Sequence, residues 1–376
     1  MLKILTNFLF FFVVTTAIAQ QKLSCEWLFI YYMPYDNNLS KEGQIILDEI
    51  KAGIKSDNVV VSIQADLTDS SGMKRYLVGN NSWTESNYDS EFSGDCKSYS
   101  DYLSWVSESV TFEKCVLIFL DHGGGLNELC LDEYPKNEYL KSDSLKNIIK
   151  DFKLVNKVSV ELIFLQVCAK GVLEPLYDFR DCADYTLCSQ NELGAPNYYY
   201  AGLFNYLKNN DYLTGDAIAQ KIAEFERSDM YFSYTCVNNA KINSFVKELN
   251  DFIYLLAEKD SIYIHIDSLE QIYYYGETHW DLASFVFHIN EADSSLLKKR
   301  QKLLNALSTL VVFHHVNSTN NKMNGYCGIS ILAPKAKDYN ARFEGMEFFS
   351  VSNLNLIAEK ISVKGEYIYI EDIIFR

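Results

Sequence analysis

Glu26–Met33 (EWLFIYYM) is apolar and aromatic throughout, a run that predicts a buried strand. Pro34 and the polar Asp36-Asn37-Asn38 end it. Leu39, Ile45, Ile46, Ile50 and Ile54 then recur at helical spacings between carboxylates and lysines. Val59–Ala65 and the shorter Lys74–Val78 read as strands, Asp101–Val106 as a helix, and Lys114–Leu120 (KCVLIFL) as a strongly apolar strand. Ser142–Phe152 opens on a Ser cap followed by Asp143 and carries Leu145, Ile148, Ile149 and Phe152 on one face. Val158–Leu165 (VSVELIFL) is the next strand, Val172–Phe179 a short helix, and Asp184–Cys188 a further strand.

Strands that are apolar on both faces and alternate with amphipathic helices predict an α/β fold, a mostly parallel sheet covered by helices on both sides. Beyond about residue 200 the pattern becomes mainly helical: Tyr200–Leu207, Asp216–Arg227, Ala240–Glu258, Asp281–Ile289 and Ser294–Val311. Tyr326–Leu332 reads as a strand, and Gly365–Phe375 alternates like an edge strand. The expected organisation is a core over 20–235 and a mainly helical C-terminal subdomain over 236–376, packed as one unit.

Residues 1–19 stand apart. Lys3, the apolar run Phe8–Val14 and Ala17-Ile18-Ala19 have the three-part layout of a secretory signal peptide. The run is too short to span a bilayer, so an exported protein (periplasmic or extracellular) with no integral membrane segment after cleavage is expected. The formal net charge of −16 argues against nucleic-acid binding and suits basic substrates or divalent cations. Export permits disulfides. The nine cysteines are odd in number, so at least one stays free or pairs with another chain, and no C-x-x-C motif is present.

In open parallel sheets ligands bind beyond the carboxyl ends of the strands. KCVLIFL is followed by Asp121-His122-Gly123-Gly124-Gly125, and VSVELIFL by Gln166-Val167-Cys168. Consecutive strands joined by one helix are usually neighbours, which would bring His122 and Cys168 to one edge. A thiol beside an imidazole is a nucleophile with its base. The glycines after the histidine let a substrate backbone approach, and the N–H groups of Gly123 and Cys168 are the expected oxyanion donors. The other histidines lie in or beside apolar runs, apart from His279, which precedes Trp280. G-x-S-x-G, G-x-x-x-x-G-K, G-x-G-x-x-G and H-E-x-x-H are absent. The His and Cys residues do not cluster as zinc ligands do.

These residues, taken in order, resemble the clostripain-like cysteine peptidases, relatives of caspases, legumains and gingipains. The resemblance runs along nearly the whole chain after residue 19. It rests on Tyr31 leading to Asp36-Asn37-Asn38-Leu39, on His122 with Gly123 and Gly125, on Cys168 with Glu174, on Ala183-Asp184-Tyr185 with Ser189 and Glu192, on Asp281-Leu282 with Phe285, and on Gly328-Ile329-Ser330 with Pro334. It implies a caspase-like three-layer α/β fold and a Cys168–His122 dyad that needs no cofactor. Gln166, Ser189 and Glu192 would contact substrate. Relatives are often activated by internal cleavage, for which Lys136 in the polar stretch Asp132–Glu138 is the candidate position. Some relatives need calcium, but no D-x-D-x-D-G loop is present from which to name ligands.

Two departures stand out. Gln166 occupies the place of an Asp that helps relatives select Arg or Lys, and Ala169-Lys170 stands where Leu-Met is common. The expectation is an exported cysteine endopeptidase acting on proteins or peptides as a monomer, with altered cleavage preference. The alternative is a catalytically weak or inactive homologue that binds peptides or proteins.

Overall fold

In the computed structural model, which describes residues 22–67, 72–90, 92–210, 213–260, 262–265, 269–289, 294–319, 321–334, 343 and 345–364, the main sheet has nine strands. The expected signal peptide and the tail strand Gly365–Phe375 lie outside the described residues. The first half runs β1 (Leu23–Tyr35), α1 (Ser40–Gly53), β2 (Val59–Leu67), β3 (Met73–Gly79), β4 (Ser82–Tyr88), α2 (Cys96–Ser109) and β5 (Val110–Leu120). It continues with β6 (Glu128–Asp132), β7 (Glu138–Lys141), α3 (Ser142–Asn156), β8 (Ser159–Gln166), α4 (Leu173–Phe179) and β9 (Tyr185–Cys188). Then come α5 (Tyr200–Lys208), α6 (Gly215–Phe225), β10 (Ser233–Asn238), α7 (Ile242–Ala257), β11 (Ile262–His265), β12 (Gln271–Tyr274) and β13 (Glu277–Asp281). The last elements used below are α8 (Leu282–His288), α9 (Ser294–Leu310), β14 (Val311–Val316), β15 (Ser330–Leu332) and β16 (Ile361–Lys364).

The sheet order is β14-β10-β9-β8-β5-β1-β2-β3-β4. The five central strands are parallel, and the outer two at each edge are antiparallel. Alternate residues of each central strand enter different cores, as the pleat requires. On β1, Leu28, Ile30 and Tyr32 pack with Tyr99, Tyr102, Leu145, Ile149 and Phe252, on the face covered by α2, α3, α4 and α7. Phe29, Tyr31 and Met33 pack with Ile46, Ile50, Phe204 and Ile222 on the face of α1, α5 and α6. The expected three-layer α/β arrangement is therefore present.

The expected border at 235/236 falls inside β10, which bonds to β9, and β14 from beyond the border closes the edge of the same sheet. The two parts thus share one sheet. The helix expected to run to Val311 ends at Leu310, where β14 begins, so His314 and His315 lie on a strand. The stretch Tyr326–Leu332 is a strand only over Ser330–Leu332. At α3 the cap differs as well. Ser142 is the first helical residue, and Asn127 Oδ1 accepts from the Asp143 N–H at 3.2 Å and from Ser142 Oγ at 2.7 Å.

Candidate active site

β5 and β8 are adjacent and parallel, and Leu120 pairs with Gln166 at their last rung. Two residues further on, His122 and Cys168 leave the sheet at the same level. Both line one open cleft of about 230 Å³, together with Tyr35, Leu39, Gln166, Glu192 and Tyr274 among others.

The turn after each strand aims its side chain. Beyond Cys168 the chain reverses sharply: Ala169 adopts a left-handed φ of 53° and donates its N–H to Asn191 O at 3.0 Å. Gly171 donates to Ser189 O at 2.6 Å, and a Cβ there would lie 2.7 Å from Gln190 N, so only glycine fits. Next to His122, Asp121 is buried and accepts from Asn37 Nδ2 at 2.9 Å and from the Leu131 N–H. Asn37 also donates to Leu131 O at 3.0 Å, so these bonds tie the ends of β1, β5 and β6 together. Burial holds the Asp121 carboxyl well above the ordinary range, against the opposing hydrogen bonds.

His122 Nε2 lies 2.7 Å from Asn38 Oδ1. With that oxygen as acceptor, Nε2 carries the proton and Nδ1 the lone pair. Burial lowers the imidazole below its usual value, opposed by Glu133. Cys168 Sγ accepts from the Leu193 N–H at 3.4 Å and faces Leu193 O at 3.7 Å. Burial raises this thiol above its usual value, while the Leu193 N–H and the Tyr274 hydroxyl lower it. Gly123 packs directly on the Cys168 peptide: an added Cβ would sit 2.1 Å from Cys168 O.

The sequence-expected substrate residues divide. Gln166 is buried at the cleft wall, with Oε1 accepting from Tyr199 OH at 2.9 Å, and Tyr199 OH lies 3.2 Å from Tyr31 OH. Glu192 lines the cleft. Ser189 does not: it is fully buried, and its Oγ accepts from the Asn191 N–H at 3.1 Å within the turn. Lys136 is exposed in the loop between β6 and β7, with Nζ 4.6 Å from the Phe92 ring centre.

Other motif residues form the scaffold behind the cleft. Glu174 Oε1 accepts from the Leu332 N–H at 3.0 Å. Asp281 accepts from the Ser284 N–H, the Cys327 N–H and Gln190 Nε2, and Gln190 also donates to Ser330 Oγ at 2.7 Å. His279, His288, His314 and His315 are not in the cleft lining. All nine cysteines are free thiols. Tyr274 and Asn38 are the contributors that sequence reasoning missed. Asn38 stood inside a quoted motif without a role, and Tyr274 lies in a tyrosine run that carries no spacing signal.

Among the described residues, Asp36, Asp66 and Asp132 bring carboxylate oxygens within 4.8 Å of one another. Carboxylates are donors of the kind calcium takes. However, Asp132 already accepts from Ser93 N, Ser93 Oγ, Gly94 N and Tyr134 N. Burial still holds the Asp132 carboxyl above its ordinary range, so these donors do not fully offset the cost of its charge. None of the three lines the cleft.

The family model of the clostripain family matches residues 31–352. Clostripain of Hathewaya histolytica is 22% identical over 403 aligned positions, covering 84% of this chain and 76% of that protein. A secreted C11 cysteine protease from Bacteroides thetaiotaomicron, solved with an irreversible peptide inhibitor, superposes with a TM-score of 0.67 at 13% identity, covering 88% of this chain and 99% of that one. An inactive zymogen C11 protease from Parabacteroides distasonis gives a TM-score of 0.68 at 15% identity, covering 87% and 98%.

Proposed function

The chain belongs to the clostripain family of cysteine peptidases, and from that premise we propose that it is an exported endopeptidase working through Cys168 and His122. The observation that carries this reading is the shared cleft: thiol and imidazole emerge from adjacent parallel strand ends, with Gly123 packed against the Cys168 peptide.

In this reading Sγ attacks the scissile carbonyl as His122 Nδ1 takes the thiol proton. The N–H groups of Gly123 and Cys168 meet the developing oxyanion. The imidazolium then protonates the leaving amine. Water, deprotonated by the same imidazole, hydrolyses the thioester. Asn38 keeps the ring in the tautomer that has its lone pair on Nδ1. Exposure of Lys136 fits it to be an internal processing position.

The cleavage preference follows from Gln166. Its amide is neutral, and its carbonyl is engaged by Tyr199, so this position offers no carboxylate to pair with guanidinium. The Arg or Lys preference is then reduced; the carboxyl groups in the lining are Glu192 and Asp121, which is engaged by Asn37. A charged hydrogen bond contributes roughly 1.5–3 kcal/mol, which corresponds to about one to two decades of kcat/KM. Gln166→Asp is expected to raise the ratio of kcat/KM for matched Arg and uncharged peptides by about tenfold or more. A wild type strictly selective for Arg and indifferent to Gln166→Asp would place the selecting charge elsewhere.

A further inference from the structure

The loop that follows His122 is fastened from two sides. Glu128 Oε2 accepts from the Gly125 N–H at 2.9 Å, and its Oε1 is held by Lys141 at 2.6 Å. From the other side comes Lys170, only 2% exposed, whose ammonium donates to Gly125 O at 2.6 Å and Gly124 O at 3.3 Å. Gly124 has φ +60°, and a Cβ on it would lie 2.7 Å from both Glu128 Cβ and the Tyr139 ring, so the loop has little room to move.

Lys170 stands two residues after Cys168. It therefore links the nucleophile's turn directly to the loop that carries Gly123. We propose that Lys170 is a positioning residue for the oxyanion site, fixing the Gly123 N–H against Cys168 through the carbonyls of Gly124 and Gly125.

An ammonium is suited to this place because it donates several hydrogen bonds at once and cannot accept any. A buried ammonium also needs nearby negative charge. Glu277 and Glu128 face it and favour its charged form, as does Cys168, while Lys141 opposes. Burial outweighs them and lowers this lysine to about 8. Glu277 belongs to β13, so the same ammonium also couples the catalytic loop to the β12–β13 hairpin that carries Tyr274.

This inference rests on the peptidase reading above, and its test separates the two. Lys170→Met keeps the length and removes the donors. Three quantities are compared per folded molecule: kcat for peptide hydrolysis, affinity for a peptide aldehyde, and the rate of Cys168 alkylation by iodoacetamide per thiolate, taken from its pH profile because Lys170 also favours the Cys168 thiolate. Aldehyde addition forms an Sγ–C bond and moves the thiol proton to the former carbonyl oxygen, so it uses the oxyanion site. Alkylation displaces iodide and does not.

The expected result is a fall of about 10–100-fold in kcat, less than the roughly 100–1000-fold for losing an oxyanion donor outright, because the Gly123 N–H is displaced and not removed. Aldehyde affinity should fall in parallel, while KM and the alkylation rate stay within about threefold. If Lys170→Met does not accumulate folded, Lys170→Gln, which keeps one neutral donor, should show the same split with a smaller loss. Unchanged kcat and aldehyde affinity, or an alkylation rate that falls along with them, would overturn the inference. A wild type that hydrolyses no peptide at all would instead overturn the peptidase reading.

Discussion

Burial acts on both members of the proposed Cys168–His122 pair in the direction that disfavours charge: it raises the Cys168 thiol and lowers the His122 imidazole. Both directions favour a neutral thiol and a neutral imidazole over a thiolate–imidazolium pair in the free protein. Below the thiol's raised value, each pH unit increases the thiolate fraction about tenfold. Iodoacetamide alkylation of Cys168, followed by mass spectrometry of its peptide, should therefore climb steadily from pH 6 to pH 9. A rate flat between pH 5 and pH 8 would reveal a resting ion pair and contradict this account. Asn38 acts on the same ring through one exposed hydrogen bond. Asn38→Ala should lower kcat about three- to tenfold, with KM and Tm nearly unchanged, because orientation and not packing is lost. A Tm drop of several degrees would assign Asn38 to the fold instead.

At the scale of elements, the segment that follows the cleft residues Leu193, Gly194 and Ala195 is tied to the end of α6 by a buried carboxylate. Glu226, just beyond α6, accepts from the Tyr198 N–H at 3.0 Å, the Arg227 N–H at 2.9 Å and Asn197 Nδ2 at 3.0 Å. Burial outweighs these bonds and raises its pKa from 4.5 to about 7. Below pH 4.5 the group is protonated in both folded and unfolded chains, and its contribution is fully present. As pH rises to 7 the unfolded chain ionises first, and stability is lost by about 3 kcal/mol in all, at about 1.4 kcal/mol per pH unit. Glu226→Gln removes this titration, and the unpaired Asn197 Oδ1 is available to the new amide. Denaturant midpoints measured from pH 4 to pH 8 should fall with pH in the wild type relative to Glu226→Gln. Parallel curves for the two proteins would refute this role.

The same scale explains what the sequence made legible. The central strands are buried on both faces, so they read as unbroken apolar runs: KCVLIFL falls inside β5 and VSVELIFL, but for its first residue, inside β8, and they place His122 and Cys168 just beyond their ends. The hairpins were hidden. β4 (SWTESNY) is largely solvated, and β12–β13 is a tyrosine-rich ribbon whose pattern fits no single period. The helix expected over Ser294–Val311 overruns into the first residue of β14, because VVFHHV follows α9 without a turn signal to mark a strand. Ser189 was expected at substrate because it belongs to a motif, but the motif's geometry is that of a buried turn supporting Gly171.

Across the whole molecule, the cleft draws on distant parts of the chain and on two sheets. β5 and β8 of the main sheet lead to His122 and Cys168, the loop after β9 supplies Glu192 and Leu193, and the β12–β13 hairpin of the smaller sheet supplies Tyr274. The net charge of −16 leaves the molecule repelling polyanions, in keeping with peptide substrates. The claim on which the account depends is that Cys168, alone among nine cysteines, is activated by His122. A peptidyl acyloxymethyl ketone, which reacts with a catalytically competent thiol, tests it when the modified peptide is mapped by mass spectrometry. The account predicts stoichiometric label on Cys168 in the wild type, a loss of at least about a hundredfold in labelling rate in His122→Ala, and none in Cys168→Ala, with all three proteins folded. Label spread over several cysteines, or unchanged in His122→Ala, would contradict it.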